Sequence, residues 1–81
     1  MTSPSALSLA EIPPGAEAVV SGIGGGRELA ARLAGLGLIV GSQLKVLQNA
    51  GRGPMLVLVR DTRVALGRGE ATRIAVTRVG G

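Results

Sequence analysis

Residues 27–43, RELAARLAGLGLIVGSQ, read as a short amphipathic helix, a glycine stop and an apolar turn into a strand. Leu29, Leu33 and Leu36 recur at i, i+4 and i+7 with Ala30 beside them, the spacing of an apolar helical stripe. Arg27, Glu28 and Arg32 fall elsewhere on the wheel. The pattern predicts a helix over 27–36 with Gly37 just past its end, where a left-handed residue is favoured and glycine carries no Cβ penalty. Leu38 then takes the next position and meets Leu33, the hydrophobic pair of a Schellman cap.

Before this segment, Ser8 followed three residues later by Glu11 has the spacing of a capping box, so 8–12 is expected as a helical turn. Pro13-Pro14-Gly15 reads as a rigid turn and residues 16–23, AEAVVSGI, as the first strand, with Gly24-Gly25-Gly26 a loop. After it, strands are expected over 43–49, 55–60, 63–66 and 74–79. MLVLVR at 55–60 is apolar on both faces and reads as a central strand. A tight hairpin is placed at Asp61-Thr62, Val64 and Leu66 face inward, and 67–72 forms a turn or a single helical turn. Five short strands with a helix inserted after the first predict a mainly β fold, a small SH3-like five-stranded partly open barrel, because closure removes exposed edges. An OB-fold places its helix later, between the third and fourth strands.

The chain has 81 residues and shows no internal repeat, which bounds it to one small domain. Residues 1–6 are expected to be a disordered tail and 7–79 the domain. Phe, Tyr, Trp, Cys and His are absent, so the core is aliphatic, and disulfides and thiolate sites are excluded. The longest aliphatic run, 55–59, is far short of the ~20 residues a membrane span needs. The N-terminus lacks the basic and apolar regions of a signal peptide, and a cytoplasmic location is expected. Residues 1–50 balance Arg27, Arg32 and Lys45 against Glu11, Glu17 and Glu28, so the net charge of +4 resides in 51–81. Such an excess suits an acidic partner, nucleic acid or an anionic membrane surface. A solvated arginine-rich surface is the simpler reading, since eight arginines stand against one lysine.

Chemistry has little foothold in this sequence. The strand, glycine loop and helix over 19–33 imitate a phosphate-binding site, but a dinucleotide fingerprint starting at Gly22 and Gly24 meets Arg27 where its third glycine belongs. Leu47 stands near where the ribose-binding acid is required, and no Lys-Ser or Lys-Thr completes a P-loop. With no His or Cys, the candidate acids and bases are five carboxylates and Lys45, unpaired in sequence. Neither catalysis nor a cofactor is expected, and no metal-ligand set is visible. Base-stacking aromatic residues are missing too, which disfavours single-strand nucleic-acid binding, and no recognition helix follows 27–36.

The runs GAEAVV from Gly15, IGGG from Ile23, RLAGLGLIVGS from Arg32 and LKVL from Leu44 resemble the FeoA family, small cytosolic proteins of bacterial ferrous iron uptake. PMLVLVRDTRVAL from Pro54, with Glu70-Ala71 and Ile74-Ala75-Val76, is similar to that family's closing strands and the helical turn between them. The likeness extends over about residues 7–79, and its elements occur in order. The family often carries Thr-Pro or a similar polar turn where this chain has Ile39-Val40, and often a basic residue where it has Gly67.

The resemblance implies an SH3-like barrel that acts in iron homeostasis. It also implies a protein-protein interaction with the cytosolic part of FeoB, the membrane ferrous iron transporter, and hence a peripheral place at the membrane through that partner. Transition-metal binding is implied by the family and by no residues here. Weak self-association is compatible with this reading. Leu38, Ile39 and Val40, supplemented by Arg63 and Arg68, are the expected partner-binding residues, because an apolar turn flanked by small residues can form an exposed patch. The alternative is a basic small-barrel regulatory or nucleic-acid-binding protein, related to the SH3-like domain of metal-dependent repressors.

Overall fold

The computed structural model describes residues 7–79; the tail expected at 1–6 lies outside them. Strands β1 (Leu7–Ser8), β2 (Glu17–Ile23), β3 (Gln43–Gln48), β4 (Met55–Val59), β5 (Thr62–Leu66) and β6 (Ile74–Arg78) form one antiparallel sheet in the order β1-β6-β2-β3-β4-β5. Helix α1 (Gly26–Gly35) follows β2, and a one-turn helix α2 (Arg68–Ala71) joins β5 to β6. Mainly β with an early helix is the expected class. The sheet has six strands, not five, and it is not closed: β1 and β5 are its two ends. The added strand holds two residues, Leu7 against Val76 and Ser8 against Ala75, too few to show a period of two in the sequence.

Alternation sorts the strands onto the core. Ala18 and Val20 of β2, Leu44 and Val46 of β3, Met55, Val57 and Val59 of β4, Val64 and Leu66 of β5, and Ile74 and Val76 of β6 are buried together. Leu9, Ile12, Leu33, Leu38 and Ala71 close this core from the connections. In β4, Leu56 and Leu58 are only half-buried, so its second apolar face looks outward, although β4 does lie inside the sheet between β3 and β5. The hairpin turn falls one residue earlier than expected. Arg60 and Asp61 have φ of 49° and 66°, the left-handed pair of a type I′ turn, which matches the twist of the flanking strands.

Ser8 caps the 3-10 turn Leu9–Glu11: its Oγ accepts from the Ala10 amide at 3.2 Å, while the Ser8 amide donates to Glu11 Oε2 at 3.0 Å. This is the reciprocal pairing that Ser-x-x-Glu predicts. Ser8 Oγ also donates to the Ala71 carbonyl at 3.2 Å. One hydroxyl thereby ties the N-terminal turn to α2.

Candidate functional site

The helix α1 stops as its leucines and glycine require. Gly37 has φ +92°, its amide donates to the Ala34 carbonyl at 3.0 Å, and the Leu38 amide donates to the Leu33 carbonyl at 2.8 Å. These are the two bonds of a Schellman cap. Leu33 and Leu38 are both wholly buried, which removes Leu38 from the expected contact surface. Its side chain is the apolar seal of the cap and is not available to a partner. Leu36 corrects the stripe in the opposite sense. It is the C-cap residue at φ −94° and ψ 0°, already off the helical path, and its side chain is 44% exposed.

Beyond the cap, residues 39–42 make a turn closed by the Ser42 amide donating to the Ile39 carbonyl at 2.9 Å. Gly41 at its third position has φ +95°, the conformation a type II turn demands there. Ser42 Oγ accepts from the Ile39 amide at 3.0 Å and donates to the Gly37 carbonyl at 3.1 Å. The Gly41 amide donates to the Val20 carbonyl and the Val20 amide to the Ser42 carbonyl, at 2.8 and 2.9 Å. The turn is thus clipped to itself and to β2. Ile39 at 52% and Val40 at 61% exposure stand on this fixed backbone, and with Leu36 they put three large aliphatic side chains at the helix exit in contact with water. Scattered single apolar residues on a surface are ordinary; these three are fixed in place by the cap and the turn bonds.

The two expected arginines separate. Arg63 is exposed on β5. Arg68 is half-buried and committed: its Nη2 donates to Asn49 Oδ1 at 2.7 Å and its Nη1 to the Ala10 carbonyl at 3.3 Å. Asn49 Nδ2 in turn donates to the carbonyls of Ala10 and Ile12 at 3.0 and 2.9 Å, and its Oδ1 accepts from the Gly51 amide at 3.1 Å. Arg68 therefore bolts α2 to the β3–β4 loop and the N-terminal turn, and it is withdrawn from the contact set. Asn49 carries no signal in the sequence beyond a turn-favouring residue after a strand.

The glycine loop serves the backbone. Gly25 caps α1 at φ +88°, and a Cβ there would stand 2.9 Å from Leu29 Cδ2 and 3.0 Å from Arg73 Cδ. The Gly24 amide donates to the Arg73 carbonyl at 2.8 Å. A cleft of about 450 Å³ beside this loop is lined by Glu28, Leu29, Arg32, Glu70 and Arg73 with Gly25. Arg32 and Glu70 form an ion pair, so the lining holds two acids and two bases and favours neither sign. Among the described residues, no three of His, Cys, Asp and Glu group closely enough to hold a metal, and no helix is long and apolar enough to cross a membrane.

Comparison with known proteins agrees with this architecture. The FeoA domain family matches residues 7–78. Fe(2+) transport protein A of Methanocaldococcus jannaschii is 37% identical over 68 residues, 84% of this chain and 82% of that one. The crystal structure of an iron uptake regulatory protein (FeoA) superposes with a TM-score of 0.84 at 32% identity, covering 94% of this chain and all of the other. The same SH3-like fold is found in a manganese-dependent transcriptional repressor, with a TM-score of 0.85 and 25% identity over 96% of this chain and 44% of that chain. With sequence and order of elements in agreement over the whole described domain, this chain belongs to the FeoA family.

Proposed function

We propose that this chain is a small cytoplasmic accessory protein of ferrous iron uptake that docks on the cytosolic part of the membrane transporter FeoB and tunes it. Membership of the FeoA family supports the process. The observation that carries docking is Ile39 and Val40, exposed on a turn whose hydroxyl clip and bonds to β2 fix it in advance, with Leu36 exposed at the C-cap of α1. A preorganised patch loses little conformational freedom on binding, so more of its apolar burial appears as affinity. In this reading the chain binds and does not catalyse: Glu11 and Glu70 cap helical turns, Arg32 pairs with Glu70, and Arg68 is held in the Asn49 network.

The test is capture of the transporter's purified cytosolic region by the full chain without nucleotide, with GDP and with a non-hydrolysable GTP analogue. Retention in at least one state supports the proposal, and failure in all three sinks it. The likeness to a transcriptional repressor, together with a net charge of +4, favours one second reading, a basic regulator that binds nucleic acid. Titration with DNA and RNA at several salt concentrations separates the two. Phosphate contacts alone weaken steeply as salt rises, and tight sequence-dependent binding at physiological salt would favour the second reading.

A further inference from the structure

Among the described residues, strand β5 ends the sheet and β4 is its sole ladder partner. The two-residue turn at Arg60-Asp61 makes Val59 and Thr62 the first pair to exchange hydrogen bonds. Alternation then makes Val57 with Val64 and Met55 with Leu66 the further exchanging pairs, and leaves Arg63 and Ala65 opposite Leu58 and Leu56 without ladder bonds. The amides and carbonyls of Arg63 and Ala65 therefore point away from β4. Among the described residues neither has another hydrogen-bond partner, and both are exposed.

An edge of this kind is normally blunted by proline, a bulge or a charge. Here Thr62–Leu66 contains no proline, and the β4–β5 register runs without a shift, in contrast to β2–β6 and β3–β4. Arg63 is the one guard. Its guanidinium has no ion-pair partner among the described residues; Arg60 stands in the adjoining turn beside Asp61, the nearest acid in sequence. A second copy would bring a further +4 and its own Arg63 to this edge, whereas an acidic strand would bring the opposite charge.

We infer that the free edge of β5 accepts an extended acidic peptide segment of a partner as an additional strand. The main-chain groups of Arg63 and Ala65 supply the ladder, and Arg63 selects for a carboxylate on the outward face. This surface is independent of the Leu36–Val40 patch, so either can fail without the other.

The probe is a blocked peptide, Thr-Glu-Val-Glu-Val-Thr, with Thr-Lys-Val-Lys-Val-Thr as its counterpart, titrated into the full chain at low salt and followed by amide NMR and hydrogen exchange. The acidic peptide is expected to shift and slow the Arg63 and Ala65 amides, to leave those of Thr62, Val64 and Leu66 slow as before, and to outbind the basic peptide. Ala65→Pro removes an outward N–H without breaking the ladder to β4, and its affinity is expected to fall at least about tenfold, the equivalent of one or two lost hydrogen bonds. Arg63→Glu is expected to reverse the preference between the peptides, a readout that survives if Ala65→Pro does not fold. No perturbation of β5 by the acidic peptide, equal binding of both peptides, or slowing of the same two amides by protein concentration alone would overturn the inference.

Discussion

The Leu38 amide lies 2.8 Å from the Leu33 carbonyl that it bonds, and the two side chains are buried against one another's surroundings in a single core. That bond spans Gly37 at φ +92°, and a Cβ on Gly37 would meet nothing nearer than Val59 Cγ1 at 3.9 Å. Space is therefore available, and only the backbone objects. Gly37→Ala should cost about 1–2 kcal/mol, the penalty of a left-handed L-residue. Urea unfolding measures it, and no loss would mean that the helix ends in some other way.

Adjacent residues of the turn should respond in opposite fashion. Leu38→Ala opens a cavity beneath the cap and is expected to cost about 2–5 kcal/mol. Ile39→Ala removes a side chain that is 52% exposed and should change stability by less than about 0.5 kcal/mol. Paired urea titrations give the comparison. Equal costs would contradict the assignment of Leu38 to the core and Ile39 to the surface.

Asn49 and Arg68 form one network across three segments. Asn49→Ala strips donors from the Ala10 and Ile12 carbonyls and the acceptor from Arg68, and about 2 kcal/mol should be lost. Arg68→Ala leaves Asn49 bonded to both carbonyls, so the loss should be nearer to about 1 kcal/mol. Because the two share partners, the double variant should lose less than the sum of the singles in thermal or urea unfolding.

Glu70 has two tasks, whereas Arg32 has one. Glu70 Oε1 accepts from the Gly67 amide at 3.0 Å, capping α2, and its other oxygen pairs with Arg32. Arg32 is 64% exposed, and an ion pair in that setting contributes about 0–1 kcal/mol. Glu70→Ala loses the cap as well and should cost about 1 kcal/mol more than Arg32→Ala. Differential scanning calorimetry at low and high salt checks this: the Arg32 effect should fade with salt, and the cap contribution should persist.

Local rules carried most of the architecture. The Ser8–Glu11 box, the Schellman cap and the inward alternation of β5 follow from residue type and spacing, because each depends on neighbours within about four positions in the chain; which face of the uniformly apolar β4 turns inward does not. What depended on distant contacts was not legible. The exposure of Leu36, the two-residue strand β1 and the Asn49–Arg68 network are set by where the helix exit and the N-terminal turn meet the sheet. The site shows the same division. Ile39 and Val40, expected in an exposed turn, are exposed; the cap reading of Leu38 was legible and outweighs its place in the expected contact set, whereas nothing local showed that Arg68 is claimed by a hydrogen-bond network.

The most direct measurement is calorimetric titration of the transporter's purified cytosolic region with the full chain and with Val40→Asp, in the nucleotide state that binds best. Docking through the helix-exit patch predicts saturable binding by the unaltered chain and at least about a tenfold loss, 1.4 kcal/mol, for Val40→Asp at an unchanged melting temperature. Binding by the folded variant equal to that of the unaltered chain would contradict the patch, and no binding by either would contradict the docking itself.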